Sequence, residues 1–178
     1  MTNNGASLTY DRHHARGRFA AKHALARRSD SYYEWDGVRR IWYGRVYVRF
    51  QNRPPGELRL IRAETDGHLD CAVDVSPSGR LRFVDAENRT VMTTSKRVAV
   101  RQWVRIEVRV DHRHGTVIVK LFNRPDGSTP TQVIRATSAA IGASANQFQF
   151  GRSGHEPFAF RFWTDDPGLS SSGYLGAG

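Results

Sequence analysis

Trp103-Val104-Arg105-Ile106-Glu107-Val108-Arg109-Val110-Asp111 and Thr116-Val117-Ile118-Val119-Lys120-Leu121-Phe122, joined by His112-Arg113-His114-Gly115, decide the fold. In the first segment Val104, Ile106, Val108 and Val110 alternate with Arg105, Glu107 and Arg109. Successive side chains of a strand point to opposite faces, so this pattern predicts one buried and one charged face. The second segment is dominated by β-branched and apolar residues, and the polar, glycine-ended link between the two suits a turn. The pair therefore reads as an antiparallel hairpin.

The same texture extends outward in both directions. Ile41 to Phe50 places Trp42, Val46, Val48 and Phe50 on one face and Tyr43, Arg45, Tyr47 and Arg49 on the other. Pro54-Pro55-Gly56 then breaks the chain, because consecutive prolines cannot continue a ladder. Strands are expected over Glu57 to Glu64, Leu69 to Val75 and Arg80 to Asp85, the last entered through a Ser76-Pro77-Ser78-Gly79 turn. Further strands are expected over Gln132 to Ala136, Asn146 to Gly151 and Pro157 to Trp163, and Ala15 to Leu25 reads as a first strand. Many short strands separated by turns, with no long helical periodicity, predict an all-β, two-sheet antiparallel β-sandwich of jelly-roll type. The expected organisation is a flexible N-terminal tail over 1–8, one sandwich domain over 9–169 and a C-terminal tail over 170–178.

A chain of 178 residues, 39% hydrophobic, is enough for one packed core and excludes global disorder. No run approaches the ~20 apolar residues that span a bilayer, so no membrane insertion is expected. Met1 to Asp11 is polar and lacks the apolar core of a secretory signal. The single cysteine, Cys71, shares a face with Leu69, Val73 and Val75 and reads as a buried structural thiol. A net charge of +10 favours polyanionic partners, although the cations are spread along the strands and no nucleic-acid motif accompanies them. No specific nucleic-acid partner is expected.

Three segments carry a resemblance: Trp42 to Phe50, Gln102 to Phe122 with its Gly115 turn, and Phe160-Arg161-Phe162-Trp163-Thr164-Asp165-Asp166-Pro167-Gly168-Leu169-Ser170. Together they resemble a concanavalin A-like, laminin-G-like domain, over roughly Ala6 to Gly176. The pattern is similar to modules in minor tail proteins and other virion components of phages that infect high-GC bacteria. The resemblance implies a concanavalin A-like jelly roll, a location on a virion or outside the cell, and surface glycans or neighbouring virion subunits as partners, with homo-oligomers among the expected assemblies. It implies a binding or structural module. A purely structural assembly protein without a soluble ligand is the alternative, and a polysaccharide-active hydrolase or lyase the third reading.

Each chemistry has its candidate residues. A retaining hydrolase of this fold carries Glu-x-Asp-x-x-Glu on one strand; here Glu34-Trp35-Asp36 begins the motif but Arg39 occupies its last position. The chain is therefore expected not to be an enzyme, with no catalytic residues. His155 beside Glu156 reads as an exposed loop before Pro157. His13-His14, and His112 with His114, supply too few ligands for a metal site. Asp165 and Asp166, adjacent carboxylates at the end of a terminal strand, resemble the structural calcium positions of some jelly-roll carbohydrate-binding modules, where hard oxygen ligands suit calcium. The candidate glycan site is Tyr43, Arg45, Tyr47 and Arg49 on one strand face together with Trp35; Tyr32, Tyr33, Arg59 and Asp70 are further aromatic and polar groups for stacking and for sugar hydroxyls.

Overall fold

The computed structural model describes residues 2–4, 7–9, 15, 20–25, 30–154 and 156–177. Fourteen strands are formed among them: β1 (Thr2–Asn4), β2 (Ser7–Thr9), β3 (Ala20–Leu25), β4 (Ser31–Arg39), β5 (Ile41–Phe50), β6 (Leu58–Thr65), β7 (His68–Val75), β8 (Arg80–Val84), β9 (Thr90–Arg97), β10 (Trp103–Asp111), β11 (Thr116–Phe122), β12 (Gln132–Thr137), β13 (Ala145–Arg152) and β14 (Phe160–Ser170). The described residues include no α-helix. Two seven-stranded sheets are present, ordered β1-β4-β13-β6-β7-β8-β9 and β12-β11-β10-β5-β14-β3-β2. They are called sheet A and sheet B below. Each β-pair is antiparallel, and the late strands β13 and β14 insert between early ones, as in a jelly roll. The all-β sandwich expected from the alternation is the fold.

Sheet B follows the sequence pattern closely. Strand β10 pairs with β11 from Arg105↔Phe122 to Asp111↔Thr116, the antiparallel hairpin expected from the alternation. Val104, Ile106, Val108 and Val110 are buried inward beside Trp42, Val46, Val48 and Phe50 of β5. Sheet A contributes Leu58, Leu60, Ile61, Val73, Val75, Phe83, Phe148 and Phe150 to the same core. Cys71 is free and fully buried, as its neighbours implied. Trp42 packs edge-on to Phe148, 5.3 Å between centroids, joining the two layers.

Several expectations need correction. Residues 2–4 and 7–9, read as part of a flexible tail and its junction with the domain, are ladder strands on β4 and β3. Strand β9, with Thr-Val-Met-Thr-Thr-Ser-Lys-Arg, has no clean alternation. It forms because Thr94 turns inward and its hydroxyl accepts the Leu81 N–H at 2.9 Å. Strand β4 continues past Asp36-Gly37 through a register shift against β13, where Gly37 takes a φ of +123° that only glycine adopts readily. Strand β14 continues seven residues past Trp163 because Pro167 falls in a bulge. Register passes from Asp165↔Tyr47 to Gly168↔Arg45, so the missing proline N–H interrupts no ladder bond.

Candidate functional site

Tyr43, Arg45, Tyr47 and Arg49 do share the outer face of sheet B. That face is covered by the chain itself. The segment after β14 returns across it, and Arg45 Nη1 donates to the Leu175 and Gly176 carbonyls at 3.3 and 3.1 Å. Tyr47 Oη donates to the Ala177 carbonyl at 2.7 Å. Tyr174 meets Tyr43 edge-on, 5.0 Å between centroids, and Lys120 Nζ lies 3.3 Å from the centre of the Tyr174 ring. Burial pushes the Tyr174 phenol up to about 12. Next to this segment, the loop after β11 covers Arg105, which donates to Pro125 O and, at 2.8 Å, to Gly127 O. Arg105 also pairs with Glu107 at 3.0 Å and stacks on Phe122.

Arg45 and Tyr47 are therefore buried, and a ligand reaches them only if the segment leaves. Deleting Tyr174–Ala177 is expected to cost about 2–3 kcal/mol, from the lost hydrogen bonds and the packing of Tyr174. Urea unfolding measures it, and a loss below ~0.5 kcal/mol would mean that the cover contributes little.

The remaining candidates separate. Trp35 lies in sheet A and packs on the core, edge-on to Phe150 at 5.2 Å, away from the sheet B face. Arg59 is on the outer face of sheet A, held by Asp74 at 3.0 Å and Asn88 at 2.6 Å. Asp70 is buried and accepts the Gly142 N–H at 2.7 Å. Burial raises the pKa of its carboxyl, partly offset by the nearby His112 ring. Tyr33 is buried in β4 and Tyr32 half-buried.

The calcium candidates face different partners. Asp165 Oδ1 accepts the Asp166 N–H and its Oδ2 the Ala15 N–H, both at 2.8 Å. Asp166 Oδ2 sits 2.6 Å from Arg45 Nη2. A guanidinium stands where the cation's charge would go, so these residues do not fit a calcium ion. Among the described residues no group of three or more His, Cys, Asp or Glu assembles for a metal. His112 and His114 point apart. His112 is buried, accepting from Trp42 Nε1 at 3.2 Å and donating from Nδ1 to Gly142 O at 2.8 Å, while His114 is exposed beside Asp111. Glu156, expected on an exposed loop, is buried against Arg152 at 2.8 Å. His13, His14 and His155 lie outside the described residues.

One cavity does assemble open polar groups. It lies at the end of sheet A where the β6–β7 hairpin, the end of β4 and the start of β13 meet. Asp36, Gly37, Val38, Asp66, Gly67, Asn146 and Gln147 enclose about 430 Å³ there, within the ~300–1,000 Å³ of small-molecule sites. Asp66 and Gly67 form the two-residue hairpin turn, with φ of +52° and +79°. Asn146 ties this turn to β13, donating to Asp66 Oδ1 at 2.7 Å and accepting the Asp66 N–H at 3.1 Å. Asp36 is exposed, its carboxylate has no partner among the described residues, and Val38 beside it is 71% exposed. The Gly37 and Gly67 α-carbons face open space, so a ligand can approach the backbone closely. The two-residue Asp-Gly turn was the available sequence signal for this cavity; its convergence with Asn146, eighty positions away, was not.

Across β13, Glu34 faces Gln149, whose Nε2 donates to Glu34 Oε2 at 2.9 Å, and Asp36 faces Gln147.

No protein-family model matches the chain, and no curated protein matches it. Solved structures do resemble it in fold. A Trypanosoma rangeli sialidase superposes with a TM-score of 0.55 at 15% identity, covering 85% of this chain and 25% of the sialidase. The binding domain of botulinum neurotoxin serotype G gives 0.56 at 12% identity, covering 97% of this chain and 44% of that one. A heptameric SAP-like pentraxin from Limulus polyphemus gives 0.52 at 11% identity, covering 75% and 65%. At these identities the likeness shows the fold alone, a jelly-roll β-sandwich. The chain spans about a quarter of the sialidase's length.

Proposed function

We propose that the protein is a non-catalytic glycan-binding module displayed on a phage virion or another extracellular surface, with its sugar site in the cavity between Asp36–Val38, Asp66–Gly67 and Asn146–Gln147. The observation that carries this reading is the exposed Asp36 carboxylate, without a partner among the described residues, beside the 71% exposed Val38. A sugar presents hydroxyl donors along one edge and C–H groups on its faces. The carboxylate accepts from adjacent hydroxyls, the Asn146 amide, held by Asp66, and the Gln147 amide both donate and accept, and Val38 covers the C–H face. The amides opposite Glu34 and Asp36 support binding without turnover. The resemblance of the Trp42–Phe50 and Phe160–Ser170 segments to minor tail modules supports the virion location.

The test is a glycan array and host cell-wall pull-down with the whole chain, alongside Asp36→Ala, Val38→Asp and Tyr43→Ala. Losing hydrogen bonds to a charged acceptor is expected to weaken binding about tenfold to a hundredfold in Asp36→Ala. Tyr43→Ala should bind as the parent does. Binding that survives Asp36→Ala sinks the site, and release of reducing ends from a bound polysaccharide sinks the non-catalytic reading. Mass spectrometry of purified particles tests the location, which fails if the chain is consistently absent.

The second reading is a structural virion subunit that contacts only its neighbours. The closure of the predicted Tyr43–Arg49 face by the chain's own C-terminal segment favours it. A blank array, with the protein held in particles, would establish this role.

A further inference from the structure

The end of the sandwich opposite the Asp36 cavity carries a different surface. Strands β6 and β7 meet at Asp66–Gly67 on one side, while the Ser76–Gly79 turn lies at the far end of β7. Around that turn stand Arg53, Arg80, Lys96, Arg97, Arg101 and Arg124, all exposed. Named contacts hold them together. Arg80 and Arg97 are directly opposed in the β8–β9 ladder. Val98 N donates to Gly79 O at 2.7 Å, and the Arg53 side chain lies against Gly79. Arg101 N donates to Phe50 O at 2.7 Å, close to Arg53 in the chain. Asn123, next to Arg124, accepts the Ala99 N–H and donates to Arg97 O, both at 3.0 Å. Among the described residues none of these six cations takes part in an ion pair.

The arrangement works against folding in two ways. Like charges directly opposed across a ladder repel. Arg101 also holds a φ of +62°, a left-handed conformation uncommon outside glycine and costly when enforced. Both costs fall at one rim, around Val100, and among the described residues no carboxylate pairs with these cations. A ligand bearing negative charge relieves the repulsion. Five of the six are arginines, whose planar forks match carboxylate, sulfate and phosphate oxygens in pairs.

We infer that this rim binds a polysaccharide carrying acidic groups along its length, at a surface separate from the Asp36 cavity. A polysaccharide fits better than a nucleic acid because Val38, Val100 and Leu175 are the exposed large hydrophobic residues among those described, so the described surface offers no exposed aromatic ring for bases to stack on. The inference rests on the glycan reading above only for the polymer being a sugar chain, and it does not require the cavity to be occupied.

The experiment measures binding of the whole chain to polygalacturonate, dextran sulfate, neutral dextran and single-stranded DNA over a range of salt. Both acidic polysaccharides should bind at physiological salt and neutral dextran should not. Polygalacturonate and dextran sulfate distinguish carboxylate from sulfate recognition. Arg80→Glu with Arg97→Glu should weaken binding about tenfold or more, since exposed charge contacts each contribute up to a few-fold, and should flatten the salt dependence. Arg80→Ser with Arg97→Ser should lose binding too while keeping or raising Tm, because it removes the opposed pair. Absence of polyanion binding at physiological salt overturns the inference, as does unchanged binding in the Glu variants or tighter binding to DNA than to either polysaccharide. Asp36→Ala should leave polyanion binding intact. Loss of neutral-glycan binding alone therefore indicts the cavity, and loss of polyanion binding alone indicts the rim.

Discussion

Lowering the pH from 7 to about 3.5 is expected to remove on the order of 4 kcal/mol of stability through one side chain, His23. This histidine lies on β3 between the layers, fully buried and stacked on Phe162 at 4.6 Å. Its ring nitrogens bond to the Ser31 hydroxyl at 2.8 Å and the Thr164 hydroxyl at 2.7 Å. Burial lowers its pKa from 6.5 to about 3; the Ser31 bond opposes the shift and the Arg152 charge adds to it. The folded state thus keeps His23 neutral while the unfolded chain protonates it near 6.5. Between those values the unfolded state binds more protons, so stability is fully present above about 6.5 and is lost as the pH falls toward 3. The slope reaches about 1.4 kcal/mol per pH unit for one proton. Urea unfolding at a series of pH values measures it. A His23→Gln variant should be less stable at pH 7 yet show a flatter acid arm, and an arm as steep as the parent's would remove His23 as its cause.

The second large effect belongs to Arg152. It is fully buried at the end of β13, donating from Nε to Glu156 Oε2 at 2.8 Å and from Nη2 to the Glu156 and Phe158 carbonyls at 2.9 and 2.6 Å. Glu156 Oε1 in turn accepts the Arg59 N–H at 2.8 Å. The pair fastens the connection between β13 and β14 to β6. Arg152→Ala is expected to cost about 3–5 kcal/mol, because it leaves the Glu156 carboxylate buried without its counter-charge. Arg152→Lys should recover little, since an ammonium cannot reproduce the fork. Replacing both partners with methionine should cost much less than Arg152→Ala alone; an equal cost would show that packing and not charge is responsible. Since the Arg152 charge also holds the His23 pKa down, Arg152→Met should raise that pKa, so that the His23 part of the acid arm levels off at a higher pH and removes less stability.

The two proposed surfaces give the molecule unlike ends. One has Asp36 and Asp66 around an open cavity, the other six cations that form no ion pair among the described residues. The formal charge of +10 is therefore not evenly spread in effect. Along the sheets many cations are neutralised in pairs such as Arg59–Asp74, Arg62–Glu64 and Arg109–Asp111, and the rim keeps its charge exposed. An acidic polymer is drawn to that rim, while a neutral sugar fits the cavity chemistry.

Alternation was enough to read β5, β10 and β11 to their end residues, because a period of two is a property of the strand itself. It also assigned Tyr43, Arg45, Tyr47 and Arg49 to one outward face and Cys71 to the core. Local pattern failed where pairing partners set the strand: at β9, at the bulged end of β14, and at β1 and β2. Outward-facing was not the same as exposed. Only the tertiary structure brought residues 174–177 back over Arg45 and Tyr47, by hydrogen bonds spanning more than a hundred positions of chain. The same is true of the cavity that joins Asp36, Asp66 and Asn146, and of the rim that crowds Arg53, Arg80, Arg97 and Arg124. The sequence by itself determined the sandwich and which side of each clear strand faces the core, since burial of alternate residues is local. The tertiary structure decided which outward residues meet, because loop closure and strand order place distant segments together and no local period encodes that.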